Sequence, residues 1–329
     1  MARTPSWWHR PPGLMAQALA PLSCLYRCGR WVRQRVCRPY SPSVPVICVG
    51  NATAGGGGKT PSAIFVARLL QEQGKRVIFA SRGYKGKIRR VTAVDVDAHD
   101  AADVGDEPLL LAQAAPTYVG ANRLKTIKAA ERLEPDAIIM DDGMQNPSVR
   151  KHVTILAESP AYAPKNDRLF PGGPYRERRA EAAACADCIF AMQYNDAALS
   201  VAEEEKEKTY ALRVEAYADG LDKTLPCVAF AGLAEPQKFF DTLMHAGFNV
   251  TETCAFPDHH PYEERDVAAL LEKAAAHEAM LITTEKDWVR LPKDRRRYVR
   301  FLPVSATMTH DRREAFARFL LEAIRRKES

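Results

Sequence analysis

The chain has 329 residues, of which 46% are hydrophobic and 27% charged, a globular balance that excludes disordered, collagen-like and coiled-coil classes. No stretch reaches the roughly 18 uncharged apolar residues of a spanning helix, which excludes a bundle of membrane spans. The net charge of +6 is concentrated in the first forty residues, which contain no lysine and no acid but seven arginines: Arg3, Arg10, Arg27, Arg30, Arg33, Arg35 and Arg38.

Residues 1–40 form a basic arm in which tryptophan and leucine side chains are interspersed with the arginines. This mixture is typical of an amphipathic helix that lies in a membrane interface. A signal peptide is the weaker alternative, because Pro21 breaks the apolar stretch and more arginine follows it directly. A helix packed against its own domain stays open as a third interpretation. The rest of the chain is close to neutral.

A strand, a glycine loop and a helix follow the arm. Residues 44–50 are apolar and β-rich, residues 51–59 are rich in glycine, and residues 60–73 have helical apolar spacing. The string GGGGKT at 55–60 therefore stands where a phosphate-binding P-loop requires it. Its backbone N–H groups would face phosphate oxygens, Lys59 would contact the β- and γ-phosphates, and Thr60 would bind Mg²⁺. Thr53 replaces the usual first glycine, so the loop is a variant form.

Further elements alternate along the chain. Sequence patterns predict strands at 76–81, 117–120, 136–141 and 153–157, with helices at 107–114 and 123–133. After a polar stretch, a second series has strands at 227–231, 280–283 and 299–304, with helices at 236–246 and 312–326. This order predicts an α/β fold of the P-loop NTPase (RecA-like) type, a parallel sheet sandwiched by helices, with a second, smaller α/β domain. The predicted divisions are the membrane-associating arm (1–40), the P-loop domain (41–200), a linker (201–225) and the C-terminal domain (226–329).

The strand predicted at 136–141 ends in Asp141 and Asp142. Two adjacent acids at a strand end can be ordinary solvated loop residues. An apolar strand that ends in aspartate about eighty residues after a P-loop is, however, the second half of the P-loop NTPase design, in which the carboxylate holds Mg²⁺. The pair therefore indicates a magnesium site.

Eight strings are more specific than a generic NTPase: VGNATAGGGGKTP (49–61), SRGY (81–84), GDEP (105–108), DDGMQ (141–145), PGGPYRE (171–177), FAGL (230–233), FPDHH (256–260) and TTEKD (283–287). In this order they resemble the tetraacyldisaccharide 4'-kinase family from about residue 13 to the C-terminus. The resemblance implies transfer of the γ-phosphate of ATP to the 4'-hydroxyl of a lipid A disaccharide precursor, with ATP and Mg²⁺ as cofactors. It also implies action at the cytoplasmic face of the inner membrane, and we expect neither nucleic acid nor an obligate protein partner.

The resemblance also assigns roles to residues. Asp106 matches the general base, His259 its partner, and Lys59, Arg123 and Arg176 the cations of the active site. Nucleotide contacts are expected from Ala54, Gly55, Gly56, Gly57, Gly58, Lys59, Thr60, Pro61 and Gln145. Metal contacts are expected from Thr60, Glu107, Asp141 and Asp142. On residue type alone, Asp106 could instead be a helix N-cap and His259 a turn residue before a proline.

Two other functions remain as alternatives. A metal-insertion GTPase would use Asp258, His259 and His260 with Cys185 and Cys188 as ligands, although the chain carries no guanine-recognition motif of the NKxD type. A membrane-recruited partitioning ATPase would hydrolyse ATP on lipid without a lipid product. The ordered set of eight strings favours the lipid kinase over both.

Overall fold

The computed structural model describes residues 5–55, 57–194, 206–218 and 220–328. Its strands are β1 (Val46–Gly50), β2 (Val77–Ser81), β3 (Thr92–Ala93), β4 (Thr117–Val119), β5 (Ala137–Asp141), β6 (Val153–Glu158), β7 (Cys188–Tyr194), β8 (Thr209–Ala216), β9 (Pro226–Ala231), β10 (Asn249–Ala255), β11 (Met280–Thr284), β12 (Arg300–Leu302) and β13 (Val304–Thr307). Its helices are α1 (Leu14–Ala18), α2 (Ala20–Val36), α3 (Lys59–Glu72), α4 (Ala101–Val104), α5 (Asp106–Ala112), α6 (Arg123–Glu131), α7 (Arg179–Cys185), α8 (Gln237–His245), α9 (Glu264–Ala276), α10 (Glu285–Trp288) and α11 (His310–Glu328).

The strands form two sheets. The nine-stranded sheet has the order β13-β8-β7-β6-β1-β5-β2-β4-β3, and the four-stranded sheet has the order β10-β9-β11-β12. Strand β1 lies in the middle of the larger sheet and pairs in parallel with β5 and β6. All five of its residues are buried, which explains why its sequence is a continuous apolar run.

Helices cover both faces of the larger sheet. One apolar core lies between the sheet and helices α3 and α11 and includes Phe65, Phe79, Phe190 and Phe316. The other lies on the opposite face and includes residues of α6 and α7. Because the carboxyl ends of parallel strands meet at one edge, the segments that follow β1, β2 and β5 lie side by side. That edge carries the P-loop and the paired aspartates.

The assignment of segments to the two sheets differs from the predicted division into P-loop domain, linker and C-terminal domain. The predicted linker contains β8, which pairs in parallel with β7 and antiparallel with β13. Strand β13 and helix α11 return to the larger sheet, where Phe316, Leu320 and Ile324 are buried in its core. Residues 201–205 of the predicted linker lie outside the described ranges. Strand β8 escapes sequence analysis because it follows a charged run and buries only Thr209 and Leu212.

The smaller domain spans the four-stranded parallel sheet and its helices. Helix α8 buries Phe239, Phe240 and Leu243 against one face of the sheet, and α9 buries Val267 and Leu270 against the other. Helix α10 contacts α5 of the larger domain through an apolar cluster of Val104, Leu109, Val119, Trp288 and Val289. This contact holds the two domains together and leaves a cleft between the P-loop and the smaller sheet.

The arm folds into α1 and α2, and no helix in the described ranges is long and apolar enough to span a membrane. One side of α2 contacts the body of the protein, where Ser23 Oγ donates to Leu169 O at 2.9 Å and accepts from Gly172 N at 3.1 Å. Several large apolar side chains of the arm are exposed: Leu14 and Met15 on α1, and Leu22, Leu25, Trp31, Val32 and Val36 on α2. The arm is therefore docked on the protein and still presents an apolar surface to its surroundings.

Candidate active site

The phosphate-binding loop connects β1 to α3, which begins at Lys59. Gly58 has a φ of +75°, and a Cβ here would lie 2.6 Å from Met192 Cγ, so only glycine fits without strain. The N-terminus of α3 directs its free backbone N–H groups toward the loop, which favours a bound phosphate. Of the predicted loop residues, Gly56 lies outside the described ranges.

Asn51 fixes the shape of this loop, a role that sequence analysis did not assign to it. Its Oδ1 accepts from Lys59 Nζ at 3.2 Å, and its Nδ2 donates to Gly55 O at 3.0 Å. Lys59 is buried, and its ammonium group is stabilised by this contact and by the charges of Asp141 and Asp142. The sequence signal that could have indicated this role was the position of Asn51 directly after a buried strand.

Asp141 ends β5 and is 1% exposed. Its Oδ1 has no hydrogen-bond partner in the described part of the chain, and its Oδ2 lies 3.4 Å from the Ser81 hydroxyl. Burial, helped by the nearby Glu107 and Asp142 carboxylates, raises the pKa of Asp141 to about 7. The charged form of a buried carboxylate that lies near other carboxylates is strongly stabilised by a cation.

The described residues contain no group of three or more His, Cys, Asp or Glu side chains that would hold a metal ion alone. Mg²⁺ at nucleotide sites is usually bound by one or two carboxylates and completes its shell with phosphate and water oxygens. The unpartnered oxygen of Asp141 fits one of these ligands. Glu107 and Thr60 line the adjoining cleft and fit further oxygen donors.

Two arginines converge on the strand end that carries the aspartates. Arg176 Nη1 donates to Asp142 Oδ1 at 2.6 Å. Arg123 Nη2 donates to the backbone oxygens of Asp141 and Asp142 at 2.6 and 3.0 Å, and its buried Nη1 has no partner in the described ranges. Burial disfavours the charged form of Asp142, but Lys59 and Arg176 hold its pKa well below the usual range. The aspartate pair thus lies among three cations, Lys59, Arg123 and Arg176.

Asp106 and His259 meet although 153 residues separate them in sequence. His259 Nδ1 lies 2.9 Å from Asp106 Oδ2, and Asp106 is 4% exposed. His259 has a φ of +55°, and its backbone N–H donates to Gly232 O. The neighbouring His260 pairs with Asp266 at 2.9 Å, so the first histidine of the FPDHH string is the one that reaches Asp106.

Two further cations surround Asp106, and sequence analysis missed both. Lys286 Nζ lies 3.9 Å from Asp106 Oδ2 and 3.1 Å from Glu107 Oε1, and Arg290 Nε lies 3.5 Å from Asp106 Oδ2. Burial disfavours the charged form of Asp106, but Lys286, His259 and Arg290 hold its pKa well below the ordinary range. The TTEKD string contains Lys286 and was the available signal for it.

A cleft of about 310 Å³ lies between the two domains, and its lining does not include Asp106, Asp141, Asp142, Arg123 and Arg176. Many of the predicted residues line it: Gly55, Gly57, Gly58, Lys59, Thr60, Pro61, Glu107 and His259. Gln145 lies away from this lining, because its Nε2 donates to Asn51 O at 2.8 Å and to Glu177 Oε1 at 2.7 Å. The geometry places it behind the P-loop, where it supports the loop through Asn51.

The arrangement of a P-loop, a strand-end aspartate pair and a buried aspartate paired with a histidine suits phosphoryl transfer to a hydroxyl group. The profile of the family described as tetraacyldisaccharide-1-P 4'-kinase matches residues 15–325. The chain belongs to this family. The resemblance found in the eight sequence strings is therefore confirmed.

Relatives from two bacteria cover nearly the same length. The tetraacyldisaccharide 4'-kinase of Paramagnetospirillum magneticum is 43% identical over 307 residues, 92% of this chain and 94% of that protein. The tetraacyldisaccharide 4'-kinase of Dinoroseobacter shibae is 41% identical over 320 residues, 94% of each. The family resemblance thus extends over both domains.

A solved structure of LpxK from Aquifex aeolicus in complex with ATP has the same fold. It superposes with a TM-score of 0.75 at 25% identity, over 94% of this chain and 100% of its own. The predicted α/β P-loop fold is confirmed by this likeness and by the mostly parallel sheets.

Proposed function

We propose that this protein transfers the γ-phosphate of ATP to the 4'-hydroxyl of tetraacyldisaccharide 1-phosphate, the reaction for which its family is named. The observation that carries the proposal is the pairing, at 2.9 Å, of the buried Asp106 with His259, which lines the P-loop cleft. Neither alternative function is favoured. His259 and His260 engage Asp106 and Asp266 instead of converging on a common point, which argues against the metal-insertion GTPase.

Asp106 is the proposed proton acceptor for the sugar hydroxyl. A hydroxyl is a weak nucleophile at neutral pH, so a positioned carboxylate that accepts its proton accelerates the transfer. Lys286 and Arg290 keep this carboxylate ionised, and His259 holds one of its oxygens at 2.9 Å. The other oxygen accepts from Glu107 N and so faces the start of α5. The pair is preorganised before any substrate binds.

Charge on the moving phosphoryl group is neutralised by Lys59, Arg123 and Arg176 in this proposal. Lys59 lies at the N-terminus of α3, and both arginines are fixed on the Asp141–Asp142 turn. Fixed cations need no reorganisation during the reaction, which is the main source of their effect. When bound, Mg²⁺ would be held by Asp141 with Glu107, Asp142 and Thr60 as further donors, and it would offset phosphate charge.

A product assay tests the function. Purified protein is incubated with Mg-ATP and tetraacyldisaccharide 1-phosphate in detergent, and the molecular mass of the lipid is measured by mass spectrometry. We expect a gain of one phosphate by the wild-type protein and none by Lys59→Ala, because that variant loses the cation of the P-loop. ATP hydrolysis with unchanged lipid would contradict the kinase and favour the partitioning ATPase.

We also propose that the arm holds the protein on the cytoplasmic face of the inner membrane. A substrate with four acyl chains stays in the bilayer, so the enzyme has to approach that surface. The exposed apolar side chains of α1 and α2 support this role, since an exposed apolar surface marks an interaction site. The arginines beside it match the negative charge of the lipid surface.

Replacing three arm leucines tests the membrane proposal. Leu14→Ser, Leu22→Ser and Leu25→Ser combined should lower recovery on vesicles of anionic phospholipid by at least about tenfold, since each buried leucine contributes about 1.5–3 kcal/mol. The matched control is Leu133→Ser, which removes an exposed leucine from the body. Vesicle sedimentation at low and high salt measures the effect. Wild-type protein released completely by salt would show that charge alone holds the arm.

A further inference from the structure

A continuous series of polar contacts runs from the arm to the P-loop. Arg30 projects from α2 toward the body, where its side chain is 14% exposed and forms ion pairs with Glu177 and, at 2.9 Å, with Glu181. The other arginines described on this helix are more exposed. Arg27 also pairs with Glu181, at 3.2 Å, but its side chain is 49% exposed, so Arg30 is the more deeply buried of these two arm arginines.

Glu177 connects Arg30 to Gln145, which lies nearer the P-loop. It is 6% exposed, and its Oε1 accepts from Gln145 Nε2 at 2.7 Å while its Oε2 contacts Arg30. The same Gln145 nitrogen donates to Asn51 O at 2.8 Å, and Asn51 holds Lys59 Nζ at 3.2 Å. One branch of the series therefore ends on the lysine of the P-loop.

The second branch ends on the aspartate pair. Because its nitrogen faces Glu177, Gln145 turns its Oε1 toward Arg176, whose Nη1 lies at 3.5 Å. The same Arg176 nitrogen donates to Asp142 Oδ1 at 2.6 Å. The Glu177 carboxylate can only accept, so it selects the amide orientation that leaves an oxygen for Arg176.

The loss of Arg30 would leave Glu177 without its buried cation. Removing one partner of a buried ion pair costs far more than an exposed pair contributes, because the remaining charge is uncompensated. Glu177 would then rotate toward water or draw Arg176 away from Asp142. The first change releases the Gln145 amide from the orientation that faces its oxygen toward Arg176, and the second moves Arg176 itself, a cation that the proposed reaction needs.

We propose that Arg30 is a positioning residue: the docked arm sets the orientation of Gln145 through Glu177 and so completes the active site. The arm is then part of the catalytic architecture as well as a membrane anchor. This inference rests on the proposed kinase function. It predicts that arm docking and turnover are coupled even where no membrane is present.

The test compares Arg30→Gln with Arg33→Gln, an exposed arginine on the same helix, so that both variants remove one charge from the arm. Lipid phosphorylation is assayed in detergent micelles, where recruitment to a bilayer is not limiting. We expect Arg30→Gln to lower kcat by about 10- to 100-fold, the cost of small misplacements remote from the chemistry, with little change in the KM for lipid. Arg33→Gln measures what the loss of one arm charge does by itself, and the inference requires its loss of kcat to be much smaller than that of Arg30→Gln.

Three further variants separate positioning from loss of folding. Arg30→Lys keeps a cation beside Glu177 and should recover part of the lost kcat. Glu177→Gln should lower kcat by itself, and adding Arg30→Gln to it should cost little more, because both act through the same contact. Thermal unfolding of each variant is followed alongside the kinetics.

The outcomes are distinct. A folded Arg30→Gln protein with wild-type kcat would overturn the inference and leave the kinase proposal standing. Equal losses in the Arg30 and Arg33 variants would also overturn it, because arm charge alone would then explain the effect. Wild-type protein that forms no phosphorylated lipid would overturn both proposals.

Discussion

An Asp106→Asn variant is expected to lower kcat by about 10²- to 10⁴-fold, the contribution of a positioned general base. Asparagine has nearly the same shape, so the P-loop and cleft stay intact, but its amide cannot take the hydroxyl proton. ATP affinity should stay close to wild type, because Asp106 does not belong to the phosphate-binding loop. The loss therefore appears in turnover instead of binding.

Steady-state kinetics of lipid phosphorylation, with calorimetric titration of ATP, measure both quantities. The matched control is Asp97→Asn, which neutralises an exposed aspartate in the segment before α4. A kcat near wild type in Asp106→Asn would show that another group accepts the proton. A parallel loss of ATP affinity would instead assign the carboxylate to nucleotide or metal binding.

The surroundings of Asp106 make this substitution informative. The carboxylate is enclosed by Lys286, Arg290 and His259, so its removal changes the local charge balance toward the positive. Excess positive charge favours the binding of the ATP phosphates. A large fall in kcat with unchanged or tighter ATP binding would therefore point specifically to lost proton transfer.

The parts of the site that were predictable from sequence are those built by local structure. A buried strand followed by glycines, lysine and threonine places Lys59 at a helix start, and an apolar strand that ends in acids places Asp141 at the same sheet edge. Both depend only on short segments and on the shared polarity of parallel strands. The Asp106–His259 pair was available only from family resemblance, because two domains bring it together.

The parts that sequence reasoning missed depend on contacts between distant segments. Glu177 and Asn51 are ordinary polar residues in sequence, and only their burial beside Gln145 reveals a role. Strand β8 was not predicted because it follows a charged run. Strands β12 and β13 were predicted as one strand because they are adjacent in sequence, although they belong to different sheets. Periodicity reports which side of an element is buried but does not report which partner covers it.

The second large effect is on stability. Asp287→Ala is expected to lower the free energy of unfolding of the smaller domain by about 3–5 kcal/mol, the cost of breaking a buried ion pair. Asp287 is fully buried, and its Oδ1 accepts from Tyr262 Oη at 2.7 Å, Gly232 N at 2.8 Å and Arg290 Nη2 at 2.7 Å. Its Oδ2 accepts from Thr284 Oγ1 at 2.6 Å. Alanine would leave these donors without their acceptor.

Urea denaturation followed by circular dichroism measures this change as a shift of the unfolding midpoint. The matched control is Asp294→Ala, whose side chain is 63% exposed and whose pairing with Arg295 is at the surface. That substitution should cost no more than about 1 kcal/mol, the usual value of an exposed pair. Equal midpoints for the two variants would show that the Asp287 network contributes little net stability.

The same aspartate connects stability to catalysis through Arg290. Asp287 binds Arg290 Nη2 at 2.7 Å, and Arg290 Nε lies 3.5 Å from Asp106 Oδ2. The same guanidinium therefore takes part in the buried network of the smaller domain and lies beside the proposed base. We therefore expect folded Asp287→Ala protein, assayed well below its unfolding midpoint, to show a reduced kcat as well. Wild-type kcat under those conditions would mean that Gly232 O and the Lys286 carbonyl, which also accept from Arg290, hold its guanidinium in place without Asp287.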